Sequence, residues 1–350
     1  MEQSIWASEA VSLLKSLIGI PSVSREEVVV ADFLQHYLQS LGIAPNRKGN
    51  NVWCVGPDFD ADKPTLLLNS HLDTVRPVAG WKKHPFTPKE EDGRLYGLGS
   101  NDAGASLACL LTAFRVLSAQ PRPYNLVFLA SCEEEVSGRE GVESVLPLLP
   151  PIAAGIVGEP TGMQPAIAEK GLMVLDCTAH GVAGHAARAE GENAIYKALP
   201  DIEWFRTYRF ERESPLLGPV RMSVTQVQAG TQHNVVPDAC TFVVDVRSNE
   251  CYTNEQLFEH IGRHVSCEVK ARSFRLNSSR IDPEHPLVRR ACALGRVPFG
   301  SPTLSDQALM PFPTLKMGPG QSARSHTADE YVLLEEIEEA IPLYVKLLSE

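Results

Sequence analysis

Apolar positions recur at helical spacing in some stretches of this chain and run unbroken or alternate in others. Residues 8–18 and 25–41 read as amphipathic helices, the first ending before Pro21 and the second at Gly42. Short apolar runs follow at 51–55, 65–68, 126–130 and 154–157. The runs at 65–68 and 126–130 are apolar enough for burial on both faces. An Ala/Leu-rich helix over 103–117 lies between these two, and a shorter one over 141–149 lies between the runs at 126–130 and 154–157. This alternation predicts an α/β sheet with helices on both faces. The pattern changes after about residue 170. Strands at 172–179, 220–227, 241–246 and 268–274 alternate with helices at 193–205 and 255–265. Their order, β-α-β-β-α-β, is the ferredoxin-like one. The α/β character resumes near residue 286 and runs to a helix over 333–348. Two domains are therefore expected: residues 1–170 with 275–350, and residues 171–274 inserted into them.

Composition narrows the class. At 350 residues, two domains are the natural division. With 43% hydrophobic and 21% charged residues, the chain is neither disordered nor collagen-like. No apolar run approaches the roughly 20 residues of a membrane span. The formal charge of −11, with no Lys/Arg block, argues against nucleic acid as a partner. The start, Met1-Glu2-Gln3-Ser4, lacks the features of a secretory signal. Eight cysteines stand singly with no CxxC pair, so a reduced, cytoplasmic protein without a cysteine-based zinc site is expected.

The chemistry gathers after the strands. Ser70-His71-Leu72-Asp73 follows one apolar run, Cys132-Glu133-Glu134-Glu135 another, and Gly158-Glu159-Pro160 a third. The run Thr314-Leu315-Lys316-Met317 leads through a Gly/Pro loop to Ser325-His326-Thr327, and a glycine-containing loop delivers Asp102 to the Ala-rich helix. Ligands of open α/β sheets bind outside the carboxyl ends of the strands. Taken singly, each feature is ordinary: three glutamates make a solvated face, and Asp102 suits a helix N-cap. In order, at successive strand ends, they place histidines and carboxylates in one crevice. Carboxylates so close repel one another, and a divalent cation relieves that repulsion.

These segments resemble the M20 family of dinuclear-zinc amidohydrolases, the group of acetylornithine deacetylase, succinyl-diaminopimelate desuccinylase, aminoacylase and glutamate carboxypeptidase. The matching pieces are Ser70-His71-Leu72-Asp73-Thr74-Val75, Tyr96-Gly97-Leu98-Gly99-Ser100-Asn101-Asp102, Cys132-Glu133-Glu134-Glu135-Val136, Gly158-Glu159-Pro160-Thr161 and Ser325-His326-Thr327-Ala328-Asp329-Glu330-Tyr331. Gly181-Val182-Ala183-Gly184-His185-Ala186 and Asn234-Val235-Val236-Pro237-Asp238 match the family's lid. The resemblance implies a zinc-aminopeptidase-like catalytic domain, a mixed sheet covered by helices, with an inserted ferredoxin-like α+β lid and dimerisation domain.

The resemblance also implies roles. His71, Asp102 and Glu159 would hold one Zn2+; Asp102, Glu135 and His326 would hold the second, with Asp102 bridging and Co2+ as a possible substitute. Asp73 would receive the second ring N–H of His71. Glu134 would be the general base acting on the metals' shared water. His185 would stabilise the oxyanion, in its own subunit or its neighbour's. A slip of one residue would make Glu133 and Glu134 the base and ligand instead. Side chains alternate in an extended segment, and that alternation with the neighbouring Val136 favours Glu134 and Glu135. One departure stands out: where the family commonly has a hydrophobic residue, Lys and Gly after the bridging aspartate, this chain has Ala103 and Gly104.

A deacylase must hold an α-carboxylate, which points to Arg247, Arg324 and Asn234. The expected reaction is removal of an acetyl or succinyl group from ornithine or citrulline in arginine biosynthesis. Succinyl-diaminopimelate desuccinylase and small-peptide metallopeptidase are the alternatives. A scaffold that merely kept the fold should have lost a ligand or the base, and none is missing. No GxSxG elbow is present, and Gly97-Leu98-Gly99 lacks the third glycine of a dinucleotide loop. The lid's open sheet edge predicts a homodimer through that domain.

Overall fold

In a computed structural model, which describes residues 2–188 and 190–349, the strands Thr65–His71 and Asn125–Ser131 lie side by side and parallel. Ile152–Val157 and Thr314–Lys316 continue the parallel array. Asn51–Val55 runs antiparallel beyond Asn125–Ser131, and Ala166–Glu169 antiparallel beyond Thr314–Lys316, so the sheet is mixed. Every residue of Asn125–Ser131 is buried, which accounts for its unbroken apolar sequence. Residues of one parity, Leu67, Val127 and Leu129, pack with Val142 and Val145. Phe128, of the other parity, meets Phe114 of the helix Ala105–Ser118. That helix packs with Glu2–Ile18 and with Leu334–Leu348, whose Tyr344 hydroxyl donates to the Met317 carbonyl at 2.6 Å. Among the described residues no helix is long and apolar enough to cross a membrane.

The helix expected over 141–149 is one α-turn, Val142–Val145, followed by the 3-10 turn Leu146–Leu148. Pro147, Pro150 and Pro151 remove the amide donors a longer helix needs. A small sheet of Lys89–Glu91, Arg94–Tyr96 and Tyr331–Leu333 was not expected. Its hairpin turns on Asp92 and Gly93, both at positive φ (51° and 72°), the Asp-Gly signature of a tight hairpin.

The chain divides into two compact units, one of Met1–Ile167, Ile281–Phe299 and Ser305–Glu350, the other of Ala168–Arg280 and Gly300–Leu304. The second unit has an antiparallel sheet ordered Arg221–Ala229, Ala239–Arg247, Met173–His180, Glu268–Ala271. Numbered by their place in the chain, these strands run 2-3-1-4, the ferredoxin-like arrangement. Alternate residues Leu175, Cys177, Phe242 and Val244 form its core with Phe205, Leu257 and Ile261 of the helices Ala194–Thr207 and Asn254–Gly262. Thr253 and Gln256 cap the latter reciprocally.

Candidate metal centre

Parallel pairing puts the carboxyl ends of three strands of the first unit together, and each carries a candidate ligand at or just beyond its end. His71 is the last residue of its strand, paired with Ser131. The glutamates follow Ser131, and Glu159 follows Val157 by two residues. His71 Nε2 lies 3.3 Å from Asp102 Oδ1 and 3.8 Å from Glu159 Oε1. His326 Nε2 lies 3.6 Å from Asp102 Oδ2 and 2.9 Å from Glu135 Oε2. Ligand atoms of His71, Glu134 and Glu159 come within 4.8 Å of one another, as do those of His71, Asp102 and Glu135. The Asp102 carboxylate thus turns one oxygen to each histidine, and each histidine has a glutamate beside it.

The glutamate segment is not extended. Glu133 takes a left-handed conformation (φ 55°), and Glu134–Val136 form a 3-10 turn. The alternation argument therefore does not apply there; a turn presents Glu134 and Glu135 to the cluster together. Glu133 folds back against Gly138, where an added Cβ would fall 1.7 Å from its Oε2.

Buried carboxylates fix the loops by accepting main-chain N–H groups. Asp73 Oδ1 accepts from Glu134 N at 3.0 Å; its Oδ2 accepts from Glu135 N at 3.1 Å and from the Ser24 hydroxyl at 2.7 Å. The His71 Nδ1–H is 2.8 Å from the main-chain oxygen of Asp73, with the carboxylate at 3.6 Å. The Asp73 carboxylate is committed to the turn, and its carbonyl orients the imidazole. Glu330 accepts from Gly99 N, Asn101 N and Asp102 N. Asn101 in turn bonds the main chain of Gln321 in both directions, tying this loop to the one that carries His326. Glu27 accepts from Arg25 N and Glu133 N, and Asp306 from the Asn69 amide and the Ser131 hydroxyl. Glu27, Asp306 and Glu330 were not singled out from the sequence. Glu330 stood inside a matching segment; the other two carry no local signal.

Burial dominates the electrostatics. It pushes Glu134 well above the ordinary carboxyl range and Glu159 to about 8. Burial opposes charge on His71, but its bond to Asp102 and the charges of Glu134, Glu159 and Asp73 outweigh it, so its pKa is well raised. The hydrogen bond to Glu135 lifts His326 to about 9. Glu159 Oε1 is buried with no hydrogen-bond partner. An orphaned carboxylate oxygen beside an imidazole, among carboxylates in excess of histidines, is the donor set a divalent ion satisfies. The residues present therefore fit a metal pair.

The missing lysine has a steric counterpart. A Cβ on Gly104 would lie 2.6 Å from the Gly99 carbonyl and 2.8 Å from Leu14 Cδ1, so the backbone leaves no room for a side chain. Arg324 pairs with Glu336 at 2.7 Å and lies over the Tyr331 ring. In the second unit, His185 pairs with Val235 in a short ribbon, and Ala186 N donates to the Asn234 carbonyl, so the segments carrying His185 and Asn234 run next to each other. Arg247 is held by Asp245 through two bonds, at 2.8 and 3.1 Å.

The model of peptidase family M20/M25/M40 matches residues 67–350. A succinyl-diaminopimelate desuccinylase of Delftia acidovorans is 28% identical over 73% of this chain and 72% of its own. An acetylornithine deacetylase of Proteus mirabilis is 27% identical over 97% and 96%. Among solved structures, the aminopeptidase PepT of Bacillus cereus superposes with a TM-score of 0.77 at 21% identity, covering 98% of each chain. The YXEP protein of Bacillus subtilis, described as a dinuclear metal binding peptidase of family M20, superposes with a TM-score of 0.75 at 17% identity over 99% and 98%.

Proposed function

The chain belongs to peptidase family M20/M25/M40, and from that premise we propose that its histidine and carboxylate cluster holds two divalent ions and hydrolyses the N-acyl amide of a small amino acid. One observation carries the reading: Asp102 Oδ1 faces His71 while Oδ2 faces His326. His71, Asp102 and Glu159 would hold one ion and Asp102, Glu135 and His326 the other, with Zn2+ proposed and Co2+ as a substitute. Such a pair lowers the pKa of a shared water and polarises the scissile carbonyl.

The rest falls to the chain's own groups. Glu134 takes a proton from the attacking water and returns it to the leaving nitrogen. The Asp73 carbonyl fixes the Nδ1–H tautomer of His71, so that Nε2 keeps its lone pair for coordination. The Asp73 carboxylate holds the Glu134–Glu135 turn. His185 donates to the developing oxyanion, in its own subunit or in a neighbour's. Arg247 and Asn234 hold the substrate carboxylate. Arg324 serves only after releasing Glu336, so the proposal leans on the other two.

N-acetylornithine is the proposed substrate, with its succinyl analogue and the citrulline derivatives next, in arginine biosynthesis. The similarity to an acetylornithine deacetylase along nearly the whole chain supports it. The similarity to desuccinylases favours a second reading, succinyl-diaminopimelate hydrolysis; a small-peptide peptidase is a third. The test is a panel of acetylornithine, acetylcitrulline, succinylornithine, succinyl-diaminopimelate and a dipeptide, with released amine measured. Turnover of the last two alone would overturn the ornithine reading, and no turnover of any would overturn the amidase reading.

Eight unpaired cysteines support the proposed cytoplasmic location. The edge strand Arg221–Ala229, largely exposed, and the exposed Ile195, Tyr196 and Leu199 support a homodimer through the second unit. A monomer mass by light scattering would overturn the dimer.

A further inference from the structure

The strand Asn125–Ser131 and the helix Ala105–Ser118 each have one end near the metal centre, the strand leading into the glutamate turn and the helix following Asp102. Their other ends meet at a separate cavity of about 280 Å³. From Asn125 to Ser131 is six steps of ~3.3 Å, so this cavity lies about 20 Å from the glutamate turn.

The cavity is built rather than merely concave. Gly56 N donates to the Leu126 carbonyl at 2.8 Å, extending the strand pairing into it. A Cβ on Gly56 would sit in ordinary contact with the Leu126 carbonyl at 3.4 Å and the Ser118 hydroxyl at 3.6 Å, so these three residues close one wall of the cavity. Apolar walls come from the rings of Phe59 and Tyr124 and from Pro57 and Pro121. Phe59 is 44% exposed, unusual for a phenylalanine with a groove to pack into.

Two cations line the same space. Neither Lys63 nor Arg122 pairs with a carboxylate among the described residues, whereas Arg47, Lys83, Arg115 and Arg324 of the same unit each do. Tyr124 donates its proton to the Leu348 carbonyl, and the Arg122 guanidinium lies near its hydroxyl. Arg122 Nε and the Ser118 hydroxyl are both buried without a partner. Unmet buried donors are costly, and two of them on one cavity mark a place where an acceptor is absent.

We propose that this cavity is a second binding site, for a small carboxylate carrying an apolar, ring-sized body. The carboxylate sits on Arg122 and Lys63, and the body lies between Phe59 and Tyr124. A guanidinium presents two parallel donors to a carboxylate, and aromatic walls favour a flat apolar body over a second charge. Asp58, also on the cavity, disfavours a dianion and can accept an ammonium group, so free amino acids and simple aryl carboxylates share the required chemistry. None of these residues belongs to the metal centre, and the site does not depend on the amidase reading.

The test uses the metal-loaded protein. Calorimetric titrations with 3-phenylpropionate, L-phenylalanine and inorganic phosphate would be joined by crystals soaked in 3-(4-bromophenyl)propionate. The expected result is a bromine anomalous peak between Phe59 and Tyr124. Binding of both organic probes should weaken about tenfold or more in Arg122→Ala and in Lys63→Ala, with amide hydrolysis and melting temperature unchanged. Tighter binding of L-phenylalanine than of phenylpropionate would add Asp58 to the site. If Arg122→Ala does not fold, Lys63→Ala and Phe59→Ala carry the test. No bromine in this cavity, bromine only at the metal centre, phosphate binding as tightly as the aryl acids, or variants that bind like the parent would each overturn the proposal.

Discussion

Replacing Asp73 with asparagine preserves shape and volume while removing the charge and turning one acceptor oxygen into a donor. The parent carboxylate accepts Glu134 N on one oxygen, and Glu135 N with the Ser24 hydroxyl on the other, and its side chain is fully buried. Asparagine can orient two ways. With its NH2 towards Glu134, that main-chain N–H faces a donor. Flipped, it leaves Glu135 N without an acceptor, while the Ser24 hydroxyl can rotate to accept. Either way at least one main-chain bond is lost. A hydrogen bond to a buried charge contributes about 1.5–3 kcal/mol, and an unmet buried N–H costs about 1–3 kcal/mol. The expected loss of stability is therefore about 3–5 kcal/mol, read by urea denaturation. It falls on the turn that carries Glu134 and Glu135, so kcat/KM should drop by roughly 10²–10³, at 1.36 kcal/mol per decade. Ser24→Ala removes one bond and leaves both main-chain donors satisfied, so it should cost only about 1–2 kcal/mol and little activity. An Asp73→Asn protein within about 0.5 kcal/mol of the parent and within threefold of its activity would refute the idea that this carboxylate holds the turn.

Three glutamate changes separate the roles of neighbours. Glu134→Gln should lower kcat by about 10²–10⁴ with metal content intact, Glu135→Gln should lower metal content, and Glu133→Gln should do neither; kinetics with elemental analysis showing the kcat loss in Glu133→Gln and the metal loss in Glu134→Gln would place the base and ligand one residue earlier. Dialysis against a chelator should abolish activity, and restoring Zn2+ at a hundredfold excess over its Kd should add about 2.7 kcal/mol of stability per ion, about 5.5 kcal/mol for the two ions expected per chain; a stoichiometry of one or less would count against the paired site. In the chelated protein, burial raises Asp306 to about 6 from an ordinary 3.8. Folding therefore favours its neutral form, and this contribution is fully present below about pH 4 and lost as the pH rises through about 6, up to about 3 kcal/mol. Asp306→Asn should flatten that part of the stability profile in thermal melts between pH 4 and 7, and an unchanged slope would show that Asp306 titrates normally.

The parts of this molecule legible in its sequence are those in which a periodic pattern and a functional residue coincide. Buried parallel strands must be continuously apolar, so a histidine or glutamate directly after such a run marks a strand end. His71, the glutamates and Glu159 were placed this way, and the alternating strands of the second unit made its ferredoxin-like order readable. Residues whose work is to accept main-chain N–H groups were not legible. Glu27 reaches Glu133 across 106 positions and Glu330 reaches Asp102 across 228. An amide N–H has the same chemistry in every residue but proline, so these contacts leave no trace in residue types. The glutamate turn misled for a related reason: alternation is a property of extended chain, and Glu133 at φ 55° ends the extension one residue before it was needed.

The long reach from Glu330 back to the loop at Gly99–Asp102 bears on how the molecule is made. A growing chain stalled on the ribosome before that position would already carry most of the acidic side chains, yet it would lack His326 and the carboxylate that gathers the three amides around Asp102. Under the proposed function, competence for hydrolysis would arrive only once His326 and Glu330 have been added, so products truncated before them should be inert towards N-acyl amino acids.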